Sequence, residues 1–185
     1  MNRPRLRWLP AIVVVVTVLY TISVYPSLPE RMATHWGIDG RPNGWSPRVF
    51  GAWLLPSIMV LMGLLFAVLP KIDPKKANYD KFGVAYHVLV TAILAFQGVI
   101  QYFMLSVAQG HAVDINTVVY VSIGTLFCIL GFAMPGGFLM VASGVLTIVA
   151  ALTSPPSVAF TVFLASSIVA SLGSVVLSYF HWRRR

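Results

Sequence analysis

Between Leu9 and Phe180 the chain is a succession of six apolar runs, 9–25, 49–69, 84–108, 117–134, 137–152 and 158–180, and their lengths constrain the fold more than any other feature. A helix rises about 1.5 Å per residue, so a hydrocarbon core about 30 Å thick takes roughly 20 apolar residues to cross. In lipid each backbone N–H and C=O must be satisfied within its own segment, so such runs become helices. The expected fold is all-α: a polytopic transmembrane bundle of six spans, in one domain covering 1–185. Charge is too scarce for a water-covered surface, since 10% of the residues are charged and 58% hydrophobic, against about 25% charged in soluble domains.

Punctuation sets the divisions. Residues 117–152 would make one segment of 36 residues, too long for a single crossing, but Pro135-Gly136-Gly137 reads as a tight turn between two short helices. Thr153-Ser154-Pro155-Pro156-Ser157 breaks the chain again, and Pro56 is expected to kink the second helix or mark where it begins. Arg3, Arg5 and Arg7 precede the first run, as in a signal peptide. That run is too long for a signal core, and Ser23-Val24-Tyr25-Pro26 lacks a small-x-small cleavage pattern, so it is read as a retained span.

Six spans put both termini on one side. That side, with the 70–83 loop, collects ten Lys and Arg residues against three (Arg31, Arg41, Arg48) on the other. The positive-inside rule then places both termini in the cytoplasm and the 26–48 loop outside a membrane crossed several times. The formal charge of +8 does not argue for nucleic acid, because the basic residues flank apolar runs rather than forming a face. Cys128 is the single cysteine, which excludes an internal disulfide and a multi-cysteine metal site.

The outer loop is the one long polar segment, holding two of five acidic residues (Glu30, Asp39) and one of four histidines (His35). Glycines at 37, 40 and 44 and prolines at 42 and 47 make it a series of tight turns, with Asp39-Gly40 and Asn43-Gly44 as favoured turn pairs. A compact lid follows, and Glu30, His35, Trp36, Asp39 and Trp45 are its candidate contacts for an external partner or ligand. His35, Glu30 and Asp39, with His111 and Asp114 at the same face, are weak metal candidates. A tetrahedral site wants three or four protein ligands, so the reading is no metal and no cofactor, with His35 pinning the loop by hydrogen bonds.

In the inner loop, Lys71, Lys75, Lys76 and Lys81 suit anionic headgroups or a cytoplasmic partner, and Asp73 and Asp80 cap helices or pair with those lysines. Within the spans His87 is the sole ionisable group near the bilayer, which argues against a proton- or ion-coupled transporter. Gln97 and Gln101, four apart on one helical face, suit hydrogen bonds between helices. Small residues from Ala165 to Ser174 suit close packing within the bundle or between copies in a homo-oligomer. No Walker, Gly-x-Ser-x-Gly or His-Glu-x-x-His pattern occurs, and no mid-span serine has a base; the chain reads as no enzyme.

Leu28-Pro29 through His35 to Arg48, LPERMATHWGIDGRPNGWSPR, resembles the hallmark of the DUF1648 domain. LPKIDPKKANYDKFGVAYH, from Leu69, resembles the next conserved loop of the same proteins. Together they resemble the SdpI-like family, over roughly Leu9 to Gln109. The resemblance implies immunity to a secreted killing toxin, with signalling through a transcriptional repressor held at the membrane. The family's basic second-half loop, close to G-I-R-T-P-W-T-L, is replaced here by the uncharged Gly131-Phe-Ala-Met-Pro-Gly-Gly137, which removes the segment credited with signalling. Two readings follow: an immunity or sensor protein meeting an extracellular toxin peptide through the outer loop, or a small-molecule or lipid-handling, transporter-like protein with that loop as its lid.

Overall fold

The computed structural model describes residues 6–74, 79–133 and 137–183, with side chains for 6–74, 83–133 and 137–173. Six helices appear in chain order: α1 Leu9–Val24, α2 Arg48–Ile72, α3 Tyr79–Ala108, α4 Ile115–Ala133, α5 Phe138–Thr153 and α6 Pro156–Arg183. Five helical stretches are long and apolar enough to cross a membrane. The other, α5, has 16 residues, about 24 Å of helix against a core of about 30 Å. The chain is a helical, multi-pass membrane protein, as the apolar runs anticipate. Two short strands, β1 Arg31–Trp36 and β2 Pro42–Pro47, pair between α1 and α2.

Contacts between Cα atoms divide the chain into two compact units. One is Met1–Gly37 with Arg41–Ile115, the other Ile38–Gly40 with Asn116–Arg185. In the first, α1, α2 and α3 pack against one another. Met59, Val90 and Leu94 form one buried cluster, and Leu28, Met32, Ala52 and Leu105 form another beneath the strands.

Two prolines inside α2 explain how that helix is tied to α3. A proline has no N–H to give the carbonyl four residues earlier, so Pro56 orphans the Ala52 carbonyl and Pro70 that of Phe66. In hydrocarbon an orphaned carbonyl must find another donor. Gln101 Nε2 donates to Ala52 O at 2.8 Å, and the Tyr86 hydroxyl donates to Phe66 O at 2.6 Å. Both donors come from α3, so each proline is turned into a helix–helix tie. Gln101 Nε2 also lies 3.2 Å from Thr21 Oγ1 of α1, and Gln97 Nε2 3.1 Å from Met62 Sδ. Both glutamines therefore serve interhelical contacts. Helix α2 begins at Arg48 and passes through Pro56 and Pro70 to Ile72, so neither proline ends it.

That continuation shortens the loop expected at 70–83. Asp73 is the C-cap residue, its amide donating to Leu69 O at 3.0 Å, and its extended backbone (φ −65°, ψ 123°) suits the proline that follows. Helix α3 then starts at Tyr79 and ends in a Schellman motif. The Gly110 amide donates to Val107 O (2.9 Å) and the His111 amide to Ser106 O (3.1 Å), with Gly110 at φ 91°.

In the second unit, the α4 and α5 backbones meet at Gly124 and Gly144. A Cβ on Gly124 would stand 2.7 Å from the Gly144 carbonyl oxygen, so only glycine permits the approach. Ser143 Oγ of α5 donates to Ser166 Oγ of α6 at 2.9 Å, and Ala170 is buried, so these two small residues of α6 pack within the chain. Helix α6 begins two residues earlier than its apolar run suggests, because Pro156 fits a first helical position, where its missing N–H costs nothing. The expected turn at Pro135-Gly136 lies outside the described residues.

Candidate functional site

Where the sequence suggests only turns, residues 31–47 form an antiparallel β-hairpin. Its register pairs Arg31 with Pro47, Met32 with Ser46, Ala33 with Trp45, His35 with Gly44 and Trp36 with Pro42. The Gly37 amide donates to Arg41 O at 2.9 Å, closing the turn, and Gly40 supplies a left-handed residue (φ 77°). Asp39-Gly40 is thus a turn pair, as expected. Asn43-Gly44 is not; it lies within β2. A Cβ on Gly44 would stand 2.8 Å from His35 Cβ, so this glycine makes room for the opposed histidine.

The hairpin is fastened to the first unit from below. Met32 is wholly buried against Leu28, Ala52 and Leu105, with Tyr20, Val24, Tyr25, Trp53 and Ala108 around them. Thr34 Oγ1 and Ser46 Oγ share a 2.9 Å hydrogen bond across the strands. Arg48, at the hairpin's exit, gives its backbone amide to Glu30 O (2.8 Å) and its Nη1 to Leu28 O (3.3 Å). Its guanidinium lies 5.0 Å over the Tyr25 ring, which in turn packs 6.1 Å from Trp53. The cation stands at a helix N-terminus, where the dipole disfavours it, and carbonyls and an aromatic face compensate. Sequence reasoning gave Arg48 only a topogenic role. Its signal was its place, directly after a strand-ending proline and at the start of an apolar helix.

The candidate residues fall on different surfaces. Glu30, His35 and Trp45 are exposed, Trp45 by 55% of its surface, and Trp36 is half-buried. His35 Nδ1 is hydrogen-bonded to Asn43 Oδ1 across the strands, so the imidazole does pin the hairpin. Asp39 sits in the turn, and Ile38–Gly40 groups with the second unit, where Asn116 Nδ2 donates to Ile38 O at 3.0 Å. His111 is bound up in the end of α3. Its Nδ1 lies 3.1 Å from Ser106 O, which only accepts, so the ring nitrogen donates. Among the described residues no group of three or more His, Cys, Asp or Glu is placed to hold a metal. Lys71 is exposed at the end of α2, while the side chains of Lys75, Lys76 and Lys81 lie outside the described residues.

The class defined by this architecture is a multi-pass helical membrane protein with a short hairpin on one helical unit. Residues 12–60 match the model of DUF1648, a domain of unknown function. The match takes in most of α1, the whole hairpin and the first half of α2, the segments joined through Met32, Ala52 and Arg48. No curated protein matches the chain, and no solved structure does.

Proposed function

We propose that the chain is a membrane immunity or sensor protein of the SdpI-like type, whose hairpin meets a secreted, membrane-active toxin peptide. The observation that carries this reading is the hairpin itself. It exposes His35 and Trp45, with exposed Glu30 just before it, on a segment clamped by buried Met32 and by Arg48, above a core in which Leu28, Ala52 and Leu105 are at most 4% exposed. A clamped, aromatic-bearing surface recognises a partner at small entropic cost. A lid over a ligand chamber would have a cleft beneath it, and the packing beneath this hairpin favours the recognition reading over the transporter-like one. The positive-inside distribution supports placing the hairpin outside a prokaryotic cytoplasmic membrane.

The test is survival under toxin challenge at matched expression. Trp45→Ala should lower protection at least tenfold in the toxin dose tolerated, because it removes an exposed ring without touching the buried Met32 cluster. His35→Ala and Trp36→Ala should also impair protection, while Lys71→Ala leaves it near the intact level. Undiminished protection by a Trp45→Ala/His35→Ala chain would reduce the hairpin to a connector.

A further inference from the structure

The first unit has a second feature, at the opposite end of its helices from the hairpin. The start of α1, the later turns of α2 and the early turns of α3 enclose a crevice of about 320 Å³, with Arg7, Val14, Gly63, Leu64, His87 and Val90 among its walls. That volume falls in the range of small-molecule sites, roughly 300–1,000 Å³. Leu64 is 60% exposed, so the crevice opens on the flank of the bundle rather than lying sealed inside it.

Its polarity is graded. The walls are apolar except at one end, where Arg7 and His87 stand; the Tyr86 hydroxyl is already committed to Phe66 O. The Arg7 guanidinium lies 5.5 Å over the ring of Trp8 and meets no carboxylate among the described residues. The lining runs from Arg7, in the 3-10 turn Leu6–Trp8 that leads into α1, to Val15 of α1, about 12 Å along the helix axis, which is within one leaflet of a core about 30 Å thick. Arg7 and exposed Trp8 mark the interfacial end, where cations and tryptophans meet headgroups. Packing does not enforce the space. A Cβ on Gly63 would meet only Val14 Cγ2, at 3.8 Å, an ordinary contact, so a larger residue would fit and the crevice would close.

We propose that this crevice holds one acyl chain of an anionic phospholipid, with the lipid phosphate against Arg7. An apolar slot one leaflet deep, whose mouth carries a guanidinium that meets no carboxylate among the described residues, matches an amphiphile with an anionic head. It does not match a free anion, which would leave the apolar walls unfilled. The proposal is independent of the hairpin reading, because the two surfaces share no residue.

The test uses the full chain in mild detergent. Native mass spectrometry follows retention of phosphatidylglycerol and phosphatidylcholine with identical acyl chains, alone and with excess inorganic phosphate. The intact chain should retain one phosphatidylglycerol at about fivefold lower lipid concentration than phosphatidylcholine, as one basic residue near a headgroup allows. Phosphate should not displace it. Gly63→Leu should abolish retention of both lipids. Arg7→Gln, at an exposed position that leaves the bundle intact, should make the two lipids equal, and Trp45→Ala should change nothing. Equal retention of the two lipids by the intact chain, or undiminished retention by Gly63→Leu, would overturn the proposal. So would a dimer without lipid preference that Gly63→Leu dissociates, which would assign the crevice to a second copy.

Discussion

One proline and one glycine show how much a single residue decides in this chain. Pro56 removes the N–H that would serve Ala52 O, and Gln101 replaces it from α3 at 2.8 Å. Interhelical side-chain hydrogen bonds in membranes average about 0.6 kcal/mol, but here the alternative is an unsatisfied buried carbonyl, costing about 1–3 kcal/mol. Gln101→Leu should therefore destabilise the protein by about 1–3 kcal/mol, seen as a lower unfolding midpoint in mixed micelles. Pro56→Ala restores the helical donor, so the same substitution in a Pro56→Ala background should cost less than half as much. Strict additivity would show that the Ala52 carbonyl is not what Gln101 serves. The proline half of this pairing is readable in sequence, since Pro56 announces an orphan four residues upstream. The glutamine half is not, because 49 residues separate the partners and only packing brings α3 alongside. At Gly44 the logic is steric. An alanine would put its Cβ 2.8 Å from His35 Cβ, so Gly44→Ala should loosen the hairpin by about 1–3 kcal/mol. Hydrogen exchange should then speed up in residues 31–47 and stay unchanged in α3.

Elements differ in how plainly they announce themselves. The helices were legible because a long apolar run in lipid has one solution, and the boundaries of α1, α3 and α4 fall within a few residues of the apolar runs on all sides except the start of α3, which reaches back to Tyr79. The hairpin was not legible. Strand β1 buries Met32 and Ala33 in succession, a break from alternation that accompanies the irregular register between Ala33 and His35. Strand β2, PNGWSP, opens and closes on proline and carries an Asn-Gly pair, which reads as loop. What makes them strands is docking on α2 and α3 through Met32, a contact absent from local sequence. The end of α3 was legible only as a break. Its Schellman motif depends on Gly110 at φ 91°, a conformation that costs an L-residue with a Cβ roughly 1–2 kcal/mol. Gly110→Ala should lower the thermal midpoint accordingly, and Gly110→Asn less so, because asparagine tolerates that region better. Equal stability of all three would mean the motif contributes nothing.

At the scale of the whole molecule, the helices give a multi-pass membrane protein, but the side each loop faces follows from charge. If all six apolar runs cross, ten Lys and Arg residues fall on the side of the termini and the 70–83 loop, against three on the side of the hairpin. An inverted chain would put ten of the thirteen cations outside instead of three, so the orientation should be uniform rather than mixed. The same reasoning bears on signalling. The segment Gly131 to Gly137 has no charge, so it offers no cationic surface to a cytoplasmic repressor. Affinity capture of the intact chain should recover no such regulator, whereas a basic loop grafted between Met134 and Phe138 should gain binding. Orientation itself is checked by single cysteines in a Cys128→Ser background. A membrane-impermeant maleimide added to whole cells should label a cysteine at Asp39, in the hairpin turn, and leave one at Lys76 unlabelled until the membrane is opened. Labelling at Lys76 alone would put the hairpin in the cytoplasm and exclude a secreted toxin as its partner. The crevice at Arg7 would then face the outer leaflet, and its lipid preference would survive the inversion while the immunity reading would not.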